Sequence, residues 1–120
     1  MLKVKEVCAV ADCGDVVNTD TAAAQLEGGV MFGLSAALLG AITIKNGIVE
    51  QTNFNDYRTM ILSDAPAVRT DFVISGEHPG GLGEPGVPPI AAAVTNAIFA
   101  ATGIRVRALP IKDAKLAATT

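Results

Sequence analysis

Three observations predict an α+β fold, a two-layer sandwich of order β-α-β-β-β-α-β with two helices on one face of a mostly antiparallel sheet. The chain has Val-rich runs of strand length, two Ala-rich runs of helix length, and Gly or Pro punctuation between them. The first strand is "KVKEVCAVAD" (3–12), ended by the turn "CGDVVN". Asn18, Thr19 and Asp20 are N-cap candidates for the helix "TAAAQLEGGVMFGLSAALLG", which stops at Gly40. Leu26, Val30, Leu34 and Leu38 recur at every fourth residue and form its apolar seam. Asn46-Gly47 then sits between Ile42/Ile44 and Ile48/Val49, which predicts a type I′ hairpin. "NDYRTMILSDAP" reads as a loop or irregular edge, and "AVRTDFVISG" (67–76) as a further strand. A second helix over 89–103 carries Pro at its start and Gly just past its end. "IRVRALPI" closes the sheet as a short strand, and "DAKLAATT" (113–120) reads as a frayed tail. Residues 1–120 form a single domain without repeat or linker.

Composition narrows the function. Half of the 120 residues are hydrophobic, only 18% are charged, and mean hydropathy is +0.42. That apolar excess implies surface that something else covers: part of a larger chain, a subunit of a complex, or a homo-oligomer when isolated. No apolar run reaches the roughly 18 uninterrupted residues of a membrane span. A net charge of −3 with dispersed Lys and Arg excludes a nucleic-acid footprint. Cys8 and Cys13 have no His or second Cys pair to complete a zinc pattern, so no metal ligand is assigned and both read as buried thiols in a reducing compartment. No cleavable signal is visible, so the expected setting is cytoplasmic, or periplasmic where an export signal lies upstream.

Three stretches exceed what folding asks for. Gly28 and Gly29 interrupt the first helix, each costing roughly 1 kcal/mol relative to Ala. Gln25 stands beside that notch and Phe32 one turn on. Either a ligand approaches there and bonds to Gln25, or the helix packs tightly on its neighbour. In "HPGGLGEPGVPPI" (78–90), eight of thirteen positions are Gly or Pro and Glu84 is the only acid. The glycines free backbone N–H groups for a polar ligand. Pro85 excludes helical backbone at Glu84 and so aims it. Leu82, Val87 and Ile90 would shelter the carboxylate from water, the setting of a proton acceptor. The alternative is a structural loop with a solvated acid. In "NFNDYR" (53–58), Asp56 and Arg58 pair, or Tyr57 lines a pocket. His78 is a loop residue without a partner. No Ser/His/Asp set, Walker-type phosphate loop or dinucleotide fingerprint is present.

"DCGDVVN", "QLEGGVMFGLSAALLGAITIKNGIVEQTNFNDYR", "DAPAV" and "HPGGLGEPGVPPIAAAVTNAIFAATGIRVRALPI", in that order, resemble the C-terminal end of a molybdenum enzyme family. It is the xanthine oxidase/aldehyde oxidase family, and within it the large subunits of isoquinoline 1-oxidoreductase type. The resemblance covers roughly residues 9 to 111. It implies hydroxylation of an aldehyde or N-heterocycle with oxygen from water. The implied cofactor is a molybdopterin, in bacteria typically the cytosine dinucleotide form. Implied partners are the remainder of the large subunit and iron–sulfur and electron-acceptor subunits. It also implies that Glu84 is the general base, that Gly81, Leu82 and Gly83 contact the molybdenum end of the cofactor, and that Gln25, with Gly28 and Gly29, binds the pterin. The family's large subunit is several times longer, so the isolated chain is expected to hold no cofactor and to be inactive. One departure is Thr19, where the family often has Pro. The rival expectation is a non-catalytic interaction module that kept the fold.

Overall fold

The structure, a computed structural model, describes residues 2–111 and 116. The elements are β1 (Glu6–Ala11), α1 (Thr19–Leu39), β2 (Ile44–Lys45), β3 (Ile48–Val49), β4 (Ala67–Phe72) and α2 (Val87–Thr102). A short 3-10 turn covers Leu62–Asp64.

Asn18 caps α1, its Oδ1 accepting from Thr21 N–H at 2.9 Å. Three of the four seam residues, Leu26, Val30 and Leu34, are buried, together with Ala37. At 21 residues α1 is long and apolar enough to cross a membrane by length and composition alone, although Asp20, Gln25, Glu27 and the glycines interrupt its apolar run. Its buried stripe nevertheless packs in the core, as that of a core helix does. Pro88 and Pro89 lie in the first turn of α2, where no intrahelical N–H bond is missed, and Gly103 ends the helix at φ 74°. Leu34, Ala37, Ile90, Val94, Ile98 and Ile111 form the core between the helices.

The sheet departs from expectation. β1 and β4 pair in parallel, Glu6 opposite Ala67 through Ala11 opposite Phe72. Antiparallel pairing is confined to the β2–β3 hairpin, a separate sheet. The chain returns beside β1 only after crossing over through α1, and such a crossover aligns strands in parallel. The hairpin turns at Asn46 and Gly47 with φ 52° and 78°, as a type I′ turn requires. Along β1 and β4 the inward residues Val7, Ala9, Ala11, Val68, Thr70 and Phe72 are half-buried, and the outward ones are exposed. Of the two helices, α1 packs on this pair, and α2 packs on α1.

The expected closing strand is not formed. Ile104 and Val106 alternate inward against exposed Arg105 and Arg107, but no strand among the described residues pairs with them. The segment is held by side chains instead: Arg105 lies over the Phe99 ring at 3.5 Å, and Ile111 is fully buried. The tail expected at 113–120 lies, apart from Leu116, outside the described residues. Neither thiol is buried as expected; Cys8 is exposed and Cys13 half-buried.

Candidate functional site

The Gly/Pro loop is fixed at both ends by close backbone contact. At its far end Gly86 presses on α1: a β-carbon there would stand 2.7 Å from Val30 N and 2.8 Å from Leu26 O. Gly29 faces the same residue, its own β-carbon position 3.3 Å from Gly86 Cα. Gly33 is equally tight, 2.7 Å from Val87 O. Of the two readings of the helix notch, packing therefore describes Gly29. Gly28 differs, with nothing within 4 Å of its β-carbon position. One glycine of the pair seats the loop and the other leaves open space.

At its near end the loop is stitched to the turn after β1. Gly80 N–H donates to Cys13 O at 2.7 Å, and Asp15 N–H donates to Glu77 O at 3.0 Å. Asp12 Oδ1 accepts from Ser75 Oγ at 2.7 Å and from Gly14 N–H at 3.1 Å. The Ser75 hydroxyl and then the Gly14 amide hold the Asp12 carboxyl below the ordinary aspartate range. Gly14 adopts φ +72°, and a β-carbon there would collide with the His78 carbonyl oxygen. Sequence reasoning took this turn as a connector only. The signal was present in "DCG", an acid two residues before a glycine, which is the local bonding pattern of an Asx turn.

Between these anchors the loop meets Gln25. A β-carbon on Gly83 would lie 3.7 Å from Gln25 Nε2, so the α1 amide stands directly beside the loop that carries Glu84. Gly81 opens onto free space. Among the described residues, no hydrogen bond within the chain uses the N–H groups of Gly81, Leu82 or Gly83, or the Gln25 amide. Glu84 is exposed, although Leu82 and Val87 are half-buried and Ile90 buried. The expected shelter around the carboxylate is thus not supplied by this chain; Val87 and Ile90 pack against Gly33 of α1 instead. His78 is an exposed loop residue.

The site suits a polar, anionic ligand. It offers unpartnered backbone N–H donors, a free amide, and the positive end of α2, with no added side-chain bulk at Gly28 and Gly81. That donor set fits a pterin cofactor carrying phosphate. Among the described residues no cluster of His, Cys, Asp and Glu could hold a metal ion directly.

The "NFNDYR" stretch lies elsewhere. Asp56 accepts from Thr52 N–H at 2.8 Å and Asn53 N–H at 3.0 Å, which holds its carboxyl below the ordinary range. The expected Asp56–Arg58 pair is not formed, since these backbone donors occupy the carboxylate; the ion pair among the described residues is Arg69–Glu6 at 2.7 Å. The Tyr57 hydroxyl abuts Gly40 at the end of α1 and lines neither cavity beside β1.

Residues 1–66 match the family model described as a molybdopterin cofactor-binding domain. A membrane-bound aldehyde dehydrogenase [pyrroloquinoline-quinone] of Gluconacetobacter polyoxogenes is 41% identical over 105 residues, covering 88% of this chain and 14% of the relative. The isoquinoline 1-oxidoreductase subunit beta of Brevundimonas diminuta is 34% identical over 113 residues, covering 94% of this chain and 14% of that one. The crystal structure of quinoline 2-oxidoreductase from Pseudomonas putida 86 superposes with a TM-score of 0.75 at 25% identity, over 91% of this chain and 15% of that one. The chain thus spans about a seventh of the length of these relatives.

Proposed function

Because the chain belongs to the molybdopterin cofactor-binding domain family, among the xanthine oxidase-type molybdenum-binding subunits, we propose that it forms the C-terminal, cofactor-facing part of a larger oxidoreductase subunit. In this reading Glu84 accepts the proton, and Gln25, Gly28, Gly81, Leu82 and Gly83 grip the cofactor. Gly29 contributes by seating Gly86. The observation that carries the proposal is the approach of the Gln25 amide to Gly83, one residue from Glu84.

The division of labour follows from the residues. When bound, the molybdenum cofactor supplies the two-electron oxidation. The N–H groups of Gly81, Leu82 and Gly83 donate to its polar edge, and Gln25 bonds alongside. Pro85 disfavours helical backbone at Glu84 and so restricts where its carboxylate points, and that carboxylate can take a proton from the water that provides the product oxygen. The remainder of the subunit must exclude bulk water, because this chain leaves Glu84 open; isolated, the chain would be cofactor-free and inactive. Aldehydes or N-heterocycles are the proposed substrates, a choice supported by the names of the aldehyde, isoquinoline and quinoline relatives. Iron–sulfur and electron-acceptor subunits would carry the electrons away. The proposed cofactor is the cytosine dinucleotide form. One relative is named for pyrroloquinoline-quinone instead, so cofactor extraction from a complete subunit discriminates pterin from quinone.

The test is Glu84→Gln in a complete subunit that contains this segment. Turnover should fall by roughly 10²–10⁴-fold with molybdenum and pterin retained. Turnover at a comparable rate removes Glu84 as the base. The second reading, an interaction module without chemistry, draws on the exposure of Glu84 and is favoured if the complete subunit binds no pterin.

A further inference from the structure

Among the described residues, β1 is hydrogen-bonded on one side only. The carbonyls of Lys5 and Ala11 accept from the N–H groups of Ala67 and Val73, at 3.0 and 2.9 Å. Backbone groups alternate sides along a strand, so those of Glu6, Cys8 and Val10 face away from β4. No strand among the described residues pairs with them. Such an edge is satisfied by another extended backbone.

The space beside this edge has the form of a strand site. α2 packs on α1, yet none of its Cα atoms comes within 8 Å of one in β1 or β4. Two cavities of about 490 and 330 Å³ fill the gap between β1 and α2. They share Val7, Cys8, Ile90 and Ala93, and no β4 residue lines either. The helix therefore overhangs the position next to β1, presenting Ala93 and Ala97 where a neighbouring strand needs room. A helix in an α+β layer covers strands. This one covers an empty place.

We propose that the free edge of β1 takes a third strand, an extended segment of the remainder of a molybdenum-binding subunit, lying beneath α2. Its residues facing α2 are apolar and alternate with polar ones on the open face. A second copy of this chain does not fit the place. It would bring its own α2, and both overhanging helices would compete with α1 for the same central strands. The choice of source rests on the proposed function, since this chain matches about a seventh of each relative.

The edge is tested first on the chain itself. A strand of alternating Thr and Val, about eight residues long, is joined to the N-terminus through a Gly/Ser linker. Amide exchange at Cys8 and Val10 should slow by about a hundredfold or more. Cys8→Pro should abolish that protection and Cys8→Ser should keep it. Unchanged exchange in the tethered chain overturns the proposal. The source is tested by grafting residues 1–120 into the B. diminuta subunit in place of the stretch they match. Protection of the same amides in the purified subunit supports the proposal. Free exchange in a graft that holds pterin overturns it while the proposed function stands, and protection without pterin does the reverse. Protection that grows with concentration of the unmodified chain assigns the edge to a second copy and overturns the stated occupant. The tethered strand gives its answer whether or not the graft accumulates.

Discussion

Gly86 has an ordinary φ of −70°, so what keeps it small is the α1 backbone against its Cα and not torsional strain. Gly86→Ala should destabilise the isolated chain by about 1–3 kcal/mol, measured by urea unfolding, because backbone cannot yield as a side chain can. Gly28→Ala meets nothing within 4 Å and should stabilise α1 by up to about 1 kcal/mol in the same measurement. In a complete subunit the Gly28 methyl group should lower pterin content, since there the open side is the proposed ligand side. Asp12 makes a pH prediction. Its folded carboxyl is depressed by Ser75 and Gly14, so its contribution is present above the ordinary value, about 3.9, and is lost as pH falls through the lower folded value. The fall in Tm below about pH 4 should be shallower in Asp12→Asn, and Asp56, depressed by Thr52 and Asn53, accounts for part of what remains. The approach of Gln25 to Gly83 lies between two stretches that the sequence singled out because glycines marked both. The bracing role of Asp12 was not, because its partner Ser75 is 63 residues away and no spacing rule joins them.

At the scale of elements, α1 depends on its first turn. Asn18→Ala should cost about 1 kcal/mol, with Asn18→Asp close to neutral, checked by thermal unfolding; the Thr21 N–H otherwise loses its acceptor. Both helices and the hairpin were readable because their determinants are local: a cap, a seam at every fourth residue, Asn-Gly, Pro early and Gly at the end. Strand direction was not readable. The same Val-rich runs serve parallel and antiparallel ladders alike, and only the crossover through α1 decides between them. Residues 104–111 show the limit from the other side. Their in–out alternation is that of a strand, but alternation reports which side chains are buried and not whether a neighbouring backbone exists to pair with.

Across the whole molecule the surface is too large for its mass. The accessible area is 8501 Å² for 12.2 kDa, against about 6,100 Å² expected of a self-contained monomer of that size. The radius of gyration, 16.7 Å, likewise exceeds the roughly 13.6 Å of a compact 120-residue domain. A difference of about 2,400 Å² is some three times the roughly 800 Å² that one partner buries in a standard interface. Much of it is apolar: Val17, Phe32, Phe54, Leu62 and Ile74 are each more than two-thirds exposed, and they lie on several elements and loops. Because they are scattered, their burial requires a partner that wraps the chain, which the remainder of a long subunit can do. In isolation the same side chains have only other copies to meet. Light scattering across a concentration series should therefore show self-association that deepens with added sulfate, which strengthens apolar burial. A monomer at every concentration and salt would mean that this surface is stable in water, and the argument for a covering partner would lose its physical basis.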